Sequence, residues 1–380
     1  MAAMGPDFGF GLYVHWPYCA RICPYCDFNV YAAKDRDNGP LVDAIIADLR
    51  RYRRLLPAHG AFDSIFFGGG TPSLLPTRDL ARIIEAANET FGLAPACEIS
   101  IEANPNDLLD LSLADWRQAG INRLSIGVQS LADEALTWLG RDHDADTARR
   151  AVDHAATTFD NLSIDLIYAR PGQGAMDWEH ELVAALALGA PHLSLYELTI
   201  EARTAFGKRA ARGDLIPMPD DDQADLYELT QSICDAHGLP AYEVSNHARS
   251  ASYQSVHNKI YWASGDWIGI GPGAHGRVTM NGRRVATEAT RRPQDYLEAD
   301  SPTRTELSDA EAATEYLAMA LRPTAGLDLQ RFEAVFGTPP DAALIETLVQ
   351  NDFALGDADR LRLTVHGRLM ADHIAAQLRP

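Results

Sequence analysis

Three cysteines stand within eight residues, in the order Cys19-Ala-Arg-Ile-Cys23-Pro-Tyr-Cys26. Thiolates are the usual protein ligands of iron–sulfur clusters. A C-x3-C-x2-C loop is short enough to wrap three irons of one cubane, and the fourth iron then has no thiolate near it. Zinc is the competing reading. Structural zinc usually shows paired C-x2-C modules, no second pair follows here, and His15 precedes the loop. The spacing favours a 4Fe–4S cluster on Cys19, Cys23 and Cys26. Cys97 opens an apolar strand-like run and Cys234 lies in a helical stretch, and both read as buried small hydrophobes. A chain with five cysteines spaced this way does not suggest a disulfide framework.

Other candidate residues fall at the ends of strand-like runs. Three consecutive glycines occur in Phe67-Gly68-Gly69-Gly70-Thr71-Pro72. They would let the backbone approach a ligand closely, and a tight turn is the plain alternative. Glu102 and Gln129 end the next two runs, and Asp165 lies in the one after. A carboxylate so placed can bind the ribose hydroxyls of a nucleoside. His257-Asn258-Lys259-Ile260-Tyr261-Trp262, taken alone, reads as a packed, hydrogen-bonded core segment. Gly269-Ile270-Gly271-Pro272-Gly273-Ala274-His275 lacks the Lys-Ser/Thr of a phosphate loop. It reads as a loop closing the bottom or side of a pocket, with His275 a lesser candidate.

The elements that must position these groups alternate. Short runs rich in Ile, Leu and Val predict strands at Leu12–His15, Ser64–Phe67, Glu98–Glu102, Arg123–Val128, Leu162–Ile167 and Leu193–Leu198. Helical patterns fill 40–57, 77–91, 107–119, 144–157, 176–189 and 220–237. Six βα units in series predict an α/β fold with a parallel sheet and outer helices: an open, partial (β/α)6 barrel. Ala241–Val244 and Trp267–Ile270 are candidate added strands. Beyond residue 302 the pattern changes to helices at Ser308–Leu321, Leu329–Phe336 and Pro340–Asn351, a strand at Leu361–Leu363 and a last helix at Gly367–Leu378. This predicts a mainly helical, winged-helix-like C-terminal domain. The expected division is 1–237 for the barrel, 238–301 for an extension closing it, and 302–380 for the C-terminal domain. A formal net charge of −20 argues against a nucleic-acid partner. No apolar run is long enough to span a bilayer, and Met1–Phe10 has no signal-peptide pattern. A cytoplasmic location is expected.

The cysteine spacing just after the first strand of such a barrel resembles the signature of the radical SAM superfamily. The resemblance implies that the open iron chelates S-adenosylmethionine (SAM), which the reduced cluster cleaves by one-electron transfer to a 5′-deoxyadenosyl radical. Tyr13-Val-His15-Trp-Pro17-Tyr-Cys19, Gly68-Gly69-Gly70-Thr71-Pro72, Ser100-Ile-Glu102-Ala-Asn104-Pro105, Arg123-Leu-Ser-Ile-Gly127-Val-Gln129-Ser130 and Asp165-Leu-Ile-Tyr sharpen it. Together they resemble the oxygen-independent coproporphyrinogen III oxidase family, over most of the chain. The resemblance implies that Tyr13, Tyr25, Gly69, Gly70, Thr71, Glu102, Gln129, Arg141 and Asp165 contact SAM or a neighbouring ligand. Without it, Arg141 reads as a surface charge and Tyr13 as a core aromatic.

Two departures point to a sister branch, the heme chaperones. The oxidase pattern has a further cysteine where this chain has Phe28, and only twelve residues precede Tyr13, too few for the oxidase's N-terminal cover. The H-N-x-x-Y-W form at His257, Asn258, Tyr261 and Trp262 resembles a signature of that branch, which makes these residues heme candidates. The resemblance implies a carrier that binds heme and passes it to acceptor proteins, membrane-associated ones among them, with an electron donor for the cluster. Anaerobic coproporphyrinogen III dehydrogenation, or other radical SAM chemistry on a tetrapyrrole, stays open as an alternative.

Overall fold

The computed structural model describes residue 5 and residues 8–33, 37–299, 301–357 and 359–378. Its large sheet contains β1 (Phe10–Trp16), β2 (Phe62–Gly69), β3 (Leu93–Ala103), β4 (Arg123–Gln129), β5 (Leu162–Tyr168), β6 (His192–Glu197), β7 (Asn246–Ala248), β8 (Asp266–Ile270), β9 (His275–Met280), β10 (Arg283–Glu288) and β11 (Thr303–Glu306). The order across it is β11-β10-β9-β8-β1-β2-β3-β4-β5-β6-β7. From β8 through β6 every neighbour is parallel. The edges, β7 on one side and β9 to β11 on the other, are antiparallel.

Parallel neighbours need a crossover, and helices supply it. They include α1 (Gly39–Leu55), α2 (Thr77–Thr90), α3 (Pro105–Asp110), α4 (Leu113–Ala119), α5 (Ala145–Ala156), α6 (Ala175–Leu186) and α7 (Asp220–Ala236). All six strands expected from the sequence are present, and β8 adds a seventh parallel strand. The helix expected at 107–119 is broken at Leu111 and Ser112, where the Ser112 side chain caps α4 by accepting from the Asp115 N–H. Ala241–Val244 is not a strand. Glu243 curls the chain into a turn by accepting from the Ser245 N–H at 2.8 Å and Asn246 Nδ2 at 2.7 Å, and only an isolated bridge, Ala241 to His247, remains.

The strands of the parallel sheet are two-faced. On β4 and β5, Leu124, Ile126, Leu162, Ile164 and Leu166 are fully or almost fully buried, in the same core as helix residues such as Ala148, Val152 and Leu182. Their alternate neighbours Ser125, Gly127, Ser163 and Asp165 face the opposite side, as the period of two requires. That concave side is polar, unlike the apolar interior of a closed barrel.

A second core holds the C-terminal elements together around Leu317, Leu321, Phe332, Leu361 and Leu378. The Asp309–Ala320 helix starts with a capping box between Ser308 and Glu311. A small sheet of Leu327–Asp328, Arg360–Leu363 and Ala354–Gly356 forms the wing. The last expected helix is split into Val365–Arg368 and Ala371–Leu378. Arg331 ties this unit to the barrel by donating to the Ala263 carbonyl at 2.8 Å. Among the described residues no helix is long and apolar enough to cross a membrane.

Candidate functional site

The cysteine loop leaves β1 and is pinned at several points. Tyr18–Cys19 pairs with Tyr31–Ala32, and the Cys26 N–H donates to the Cys23 carbonyl at 3.2 Å. Asn29 Nδ2 donates to the carbonyls of Pro272 at 2.9 Å and Arg291 at 2.8 Å, which fastens the loop to the far edge of the sheet. All three cysteines are free thiols. Burial raises Cys19 and pushes Cys26 up to about 11. Arg141 donates to Cys23 Sγ at 3.4 Å, so a fixed positive charge stands where a thiolate must form.

The loop roofs a cavity of about 650 Å³ over the strand ends. Tyr13, Cys19, Cys23, Tyr25, Cys26, Gly69, Gly70, Thr71, Glu102, Gln129, Arg141, Asp165, His257, Asn258 and Tyr261 all line it. The glycines are required first by packing. A Cβ on Gly70 would lie 2.8 Å from the carbonyls of Trp16 and Tyr18, and Gly69 has φ +103° with the His15 ring 2.5 Å from any Cβ. The turn reading and the ligand reading therefore both hold, since the same residues line the cavity.

A polar stripe crosses the cavity floor. Glu102 lies opposite Ser125, Ser125 opposite Ser163, and Asp165 opposite Ser194. Asp165 accepts from Ser125 at 2.8 Å and Ser163 at 3.0 Å, and burial raises its pKa. Glu102 accepts from the Gly69 N–H at 3.2 Å. Its pKa is pushed up to about 8, chiefly by burial and then by the nearby Asp165. The serines and Arg123 were missed from sequence. Their signal was the alternation in Arg123-Leu-Ser-Ile-Gly and Leu162-Ser-Ile-Asp, where every second residue is polar or small inside an otherwise apolar strand.

Gln129 fits a bound ligand on two grounds. It ends β4 at φ +66°, a left-handed conformation costly for a side chain of this kind. Its Oε1 is buried with no hydrogen-bond partner among the described residues, so a ligand donor would satisfy it. Three thiols, two adjacent carboxylates and this unpaired oxygen match the needs of a cluster with a nucleoside beside it. Among the described residues no three His, Cys, Asp or Glu converge as ligands of a single metal ion would.

Two heme candidates from the sequence are placed otherwise. The segment forms helix α8 (Val256–Trp262), capped by Ser255. His257 is buried, with Nδ1 on Ser64 Oγ at 2.8 Å and Nε2 on the Tyr261 hydroxyl at 2.7 Å. Neither nitrogen is left for iron, and burial lowers the ring's pKa to about 3. Trp262 is not on the cavity wall. It faces the C-terminal unit, with the Arg322 guanidinium 5.0 Å from its ring.

Residues 13–183 match the radical SAM superfamily and residues 307–370 the HemN C-terminal domain. The heme chaperone HemW of Escherichia coli (strain K12) is 35% identical over 96% of this chain and 96% of that protein. This chain belongs to the HemW family of radical SAM proteins. The HemW of Bacillus subtilis is 32% identical over 95% of this chain. The mitochondrial radical S-adenosyl methionine domain-containing protein 1 of Mus musculus is 36% identical over 97% of this chain and 87% of that protein. Among solved structures, coproporphyrinogen III oxidase from Escherichia coli matches with a TM-score of 0.81 and 22% identity over 100% of this chain and 92% of that one, a likeness of fold.

Proposed function

We propose that this protein is a heme chaperone: it binds heme, passes it to acceptor proteins, and holds a 4Fe–4S cluster on Cys19, Cys23 and Cys26 with SAM at the open iron. One observation carries the reading, the end-to-end likeness to proteins named heme chaperone HemW. Phe28, where the oxidase pattern has a cysteine, supports it. Its side chain is 60% exposed at the cavity mouth.

When bound, the cluster supplies one-electron chemistry toward SAM. The chain's own residues do the rest. Arg141 favours the thiolate of Cys23, and Thr71 does the same for Cys19 by a side-chain hydrogen bond. Glu102 and Asp165 accept hydroxyl donors from the nucleoside, Gln129 Oε1 accepts one more, and Tyr13, Tyr25, Gly69 and Gly70 complete the wall. Asn258 and Tyr261 border the same space, and His257 braces it.

The division into residues 1–237, 238–301 and 302–380 belongs to this reading, as do a cytoplasmic location, an electron donor for the cluster, and acceptors that include membrane-associated proteins. The acidic charge supports a protein rather than a nucleic-acid partner.

The test is anaerobic. Reconstituted protein loaded with heme is mixed with an apo-haemoprotein, and transfer is followed by absorbance. The same preparation is given SAM, reductant and coproporphyrinogen III. Heme transfer without CO₂ release is expected. Steady CO₂ release with SAM consumed in proportion would replace the chaperone reading with the dehydrogenase.

A further inference from the structure

A second cavity, of about 630 Å³, lies across the cysteine loop from the first. Tyr13, Cys26, Asp27, Phe28 and Tyr261 line both, so the loop is the wall between them. The second cavity has a different chemistry. Arg203, Arg291 and, from the start of β9, His275 line it, Phe28 brings an exposed aromatic ring, and Trp267 brings a second ring that also packs on Tyr261 at 4.5 Å between centroids and lies 5.4 Å from the Arg284 guanidinium. In a chain of net charge −20, two arginines and an imidazole around one cavity mark a place for an anion.

The histidines decide what kind. Four of them line the two cavities: His15, His192, His257 and His275. His15 has its nitrogens on the Tyr13 hydroxyl and the Asn29 carbonyl, both at 3.0 Å. His192 has them on Ser163 Oγ at 2.8 Å and the Tyr242 hydroxyl at 2.9 Å. His257 is engaged at both nitrogens as well. Freeing any of these three for a metal would strand a buried polar partner. The His275 side chain has no hydrogen bond among the described residues. Its Nε2 makes one long ion-pair contact, to Glu288 Oε1 at 3.9 Å, and the side chain is 54% exposed.

The arginines are similarly available. The side chain of Arg203 makes no hydrogen bond or ion pair among the described residues. Among the described residues the Arg291 side chain uses only Nε, on Glu288 at 3.0 Å, which leaves its two terminal nitrogens without a partner there. Guanidinium groups suit carboxylates because both have matched planar geometry. The negative groups nearby, Asp27 and Glu288, reduce the attraction but do not occupy the arginine termini.

We infer that this second cavity is the heme seat, with His275 as the axial ligand to iron, Arg203 and Arg291 receiving the two propionates, and Phe28 and Trp267 against the macrocycle. The assignment rests on the heme-chaperone reading and moves the ligand from His257 to His275. A cavity of this volume is in the range that encloses a ligand of heme's size. One imidazole on an exposed strand end, rather than a buried pair, suits a carrier. An acceptor can approach the open side and take the iron without the fold opening. The shared loop also sets the heme seat beside the cluster cysteines, so the two sites stay separate yet adjacent.

The test uses full-length protein reconstituted anaerobically with its cluster and titrated with heme, followed by the Soret band. His275→Ala should shift the band and weaken binding about tenfold or more, the scale of a lost charge-assisted or ligand contact. His275→Met should restore affinity with a different band position. Arg203→Glu with Arg291→Glu should weaken heme about tenfold and leave heme dimethyl ester, which lacks the charged propionates, unaffected. Iron content and the SAM-induced change in the cluster EPR spectrum should stay as in the wild type. An unchanged spectrum and affinity in His275→Ala, or a band that responds to His257→Ala instead, overturns the inference and leaves the chaperone reading standing. Wild-type protein that binds no heme overturns the reading itself.

Discussion

Replacing Glu102 by glutamine removes a charge from the cavity floor and keeps the shape. The Glu102 carboxyl is pushed up to about 8 from an ordinary 4.5 by burial and by Asp165. The folded protein therefore resists an ionisation that the unfolded chain undergoes near 4.5. Its stability is whole below that pH, falls as pH rises toward 8, and is level above. At about 1.4 kcal/mol per pH unit, the interval corresponds to about 5 kcal/mol. Glu102 lies at the wall of an open cavity and keeps some solvent exposure, which screens roughly half of this and leaves about 2.5 kcal/mol. Glutamine has nothing to ionise. In thermal unfolding of metal-free protein, Glu102→Gln should match the wild type closely at pH 5 and exceed it by a few degrees at pH 8. The reasoning fails if the variant is less stable at pH 8, or if the gap between the two proteins does not grow with pH.

Two further outcomes follow from the same site. Cys19→Ala, Cys23→Ala and Cys26→Ala should each abolish the cluster, while Cys97→Ala and Cys234→Ala, both buried away from the loop, should retain close to four irons per chain in an iron assay, about the stoichiometry of a cubane. His257→Ala should cost about 2–4 kcal/mol, because it strands the hydroxyls of Ser64 and Tyr261 and opens a void. The lowered His257 pKa makes its contribution full above about 6.5 and lost as pH falls toward about 3. The gap between wild type and variant in denaturant unfolding should therefore narrow in acid, and a gap that widens there would contradict the buried neutral ring.

What the sequence made legible was local. The cysteine spacing, the glycine run and the strand-end positions of Glu102 and Gln129 depend on residues within one βα unit, and each lines the cavity. The polar floor was written in the period-two pattern of β4 and β5 but needed the register between strands, which places Ser125 opposite Ser163, to be recognised as one surface. β8 was visible as an apolar run. Its place beside β1 was not, because that pairing joins Phe10 to Asp266 across most of the chain.

The two histidines show where legibility ends. In the sequence, His257 stands among aromatics and His275 behind a glycine loop, and the first looks the better ligand. Whether an imidazole can take a metal depends on what already holds its nitrogens. For His257 that is Ser64, 193 residues away, on a strand brought alongside only by the fold. For His275 it is the lack of a hydrogen-bonded partner among the described residues, with only Glu288 at 3.9 Å beside an exposed strand end, a property of the assembled surface that no run of neighbouring residues records. An aromatic neighbourhood is thus as good a sign of a braced core as of a binding site, and the unengaged nitrogen is what separates them.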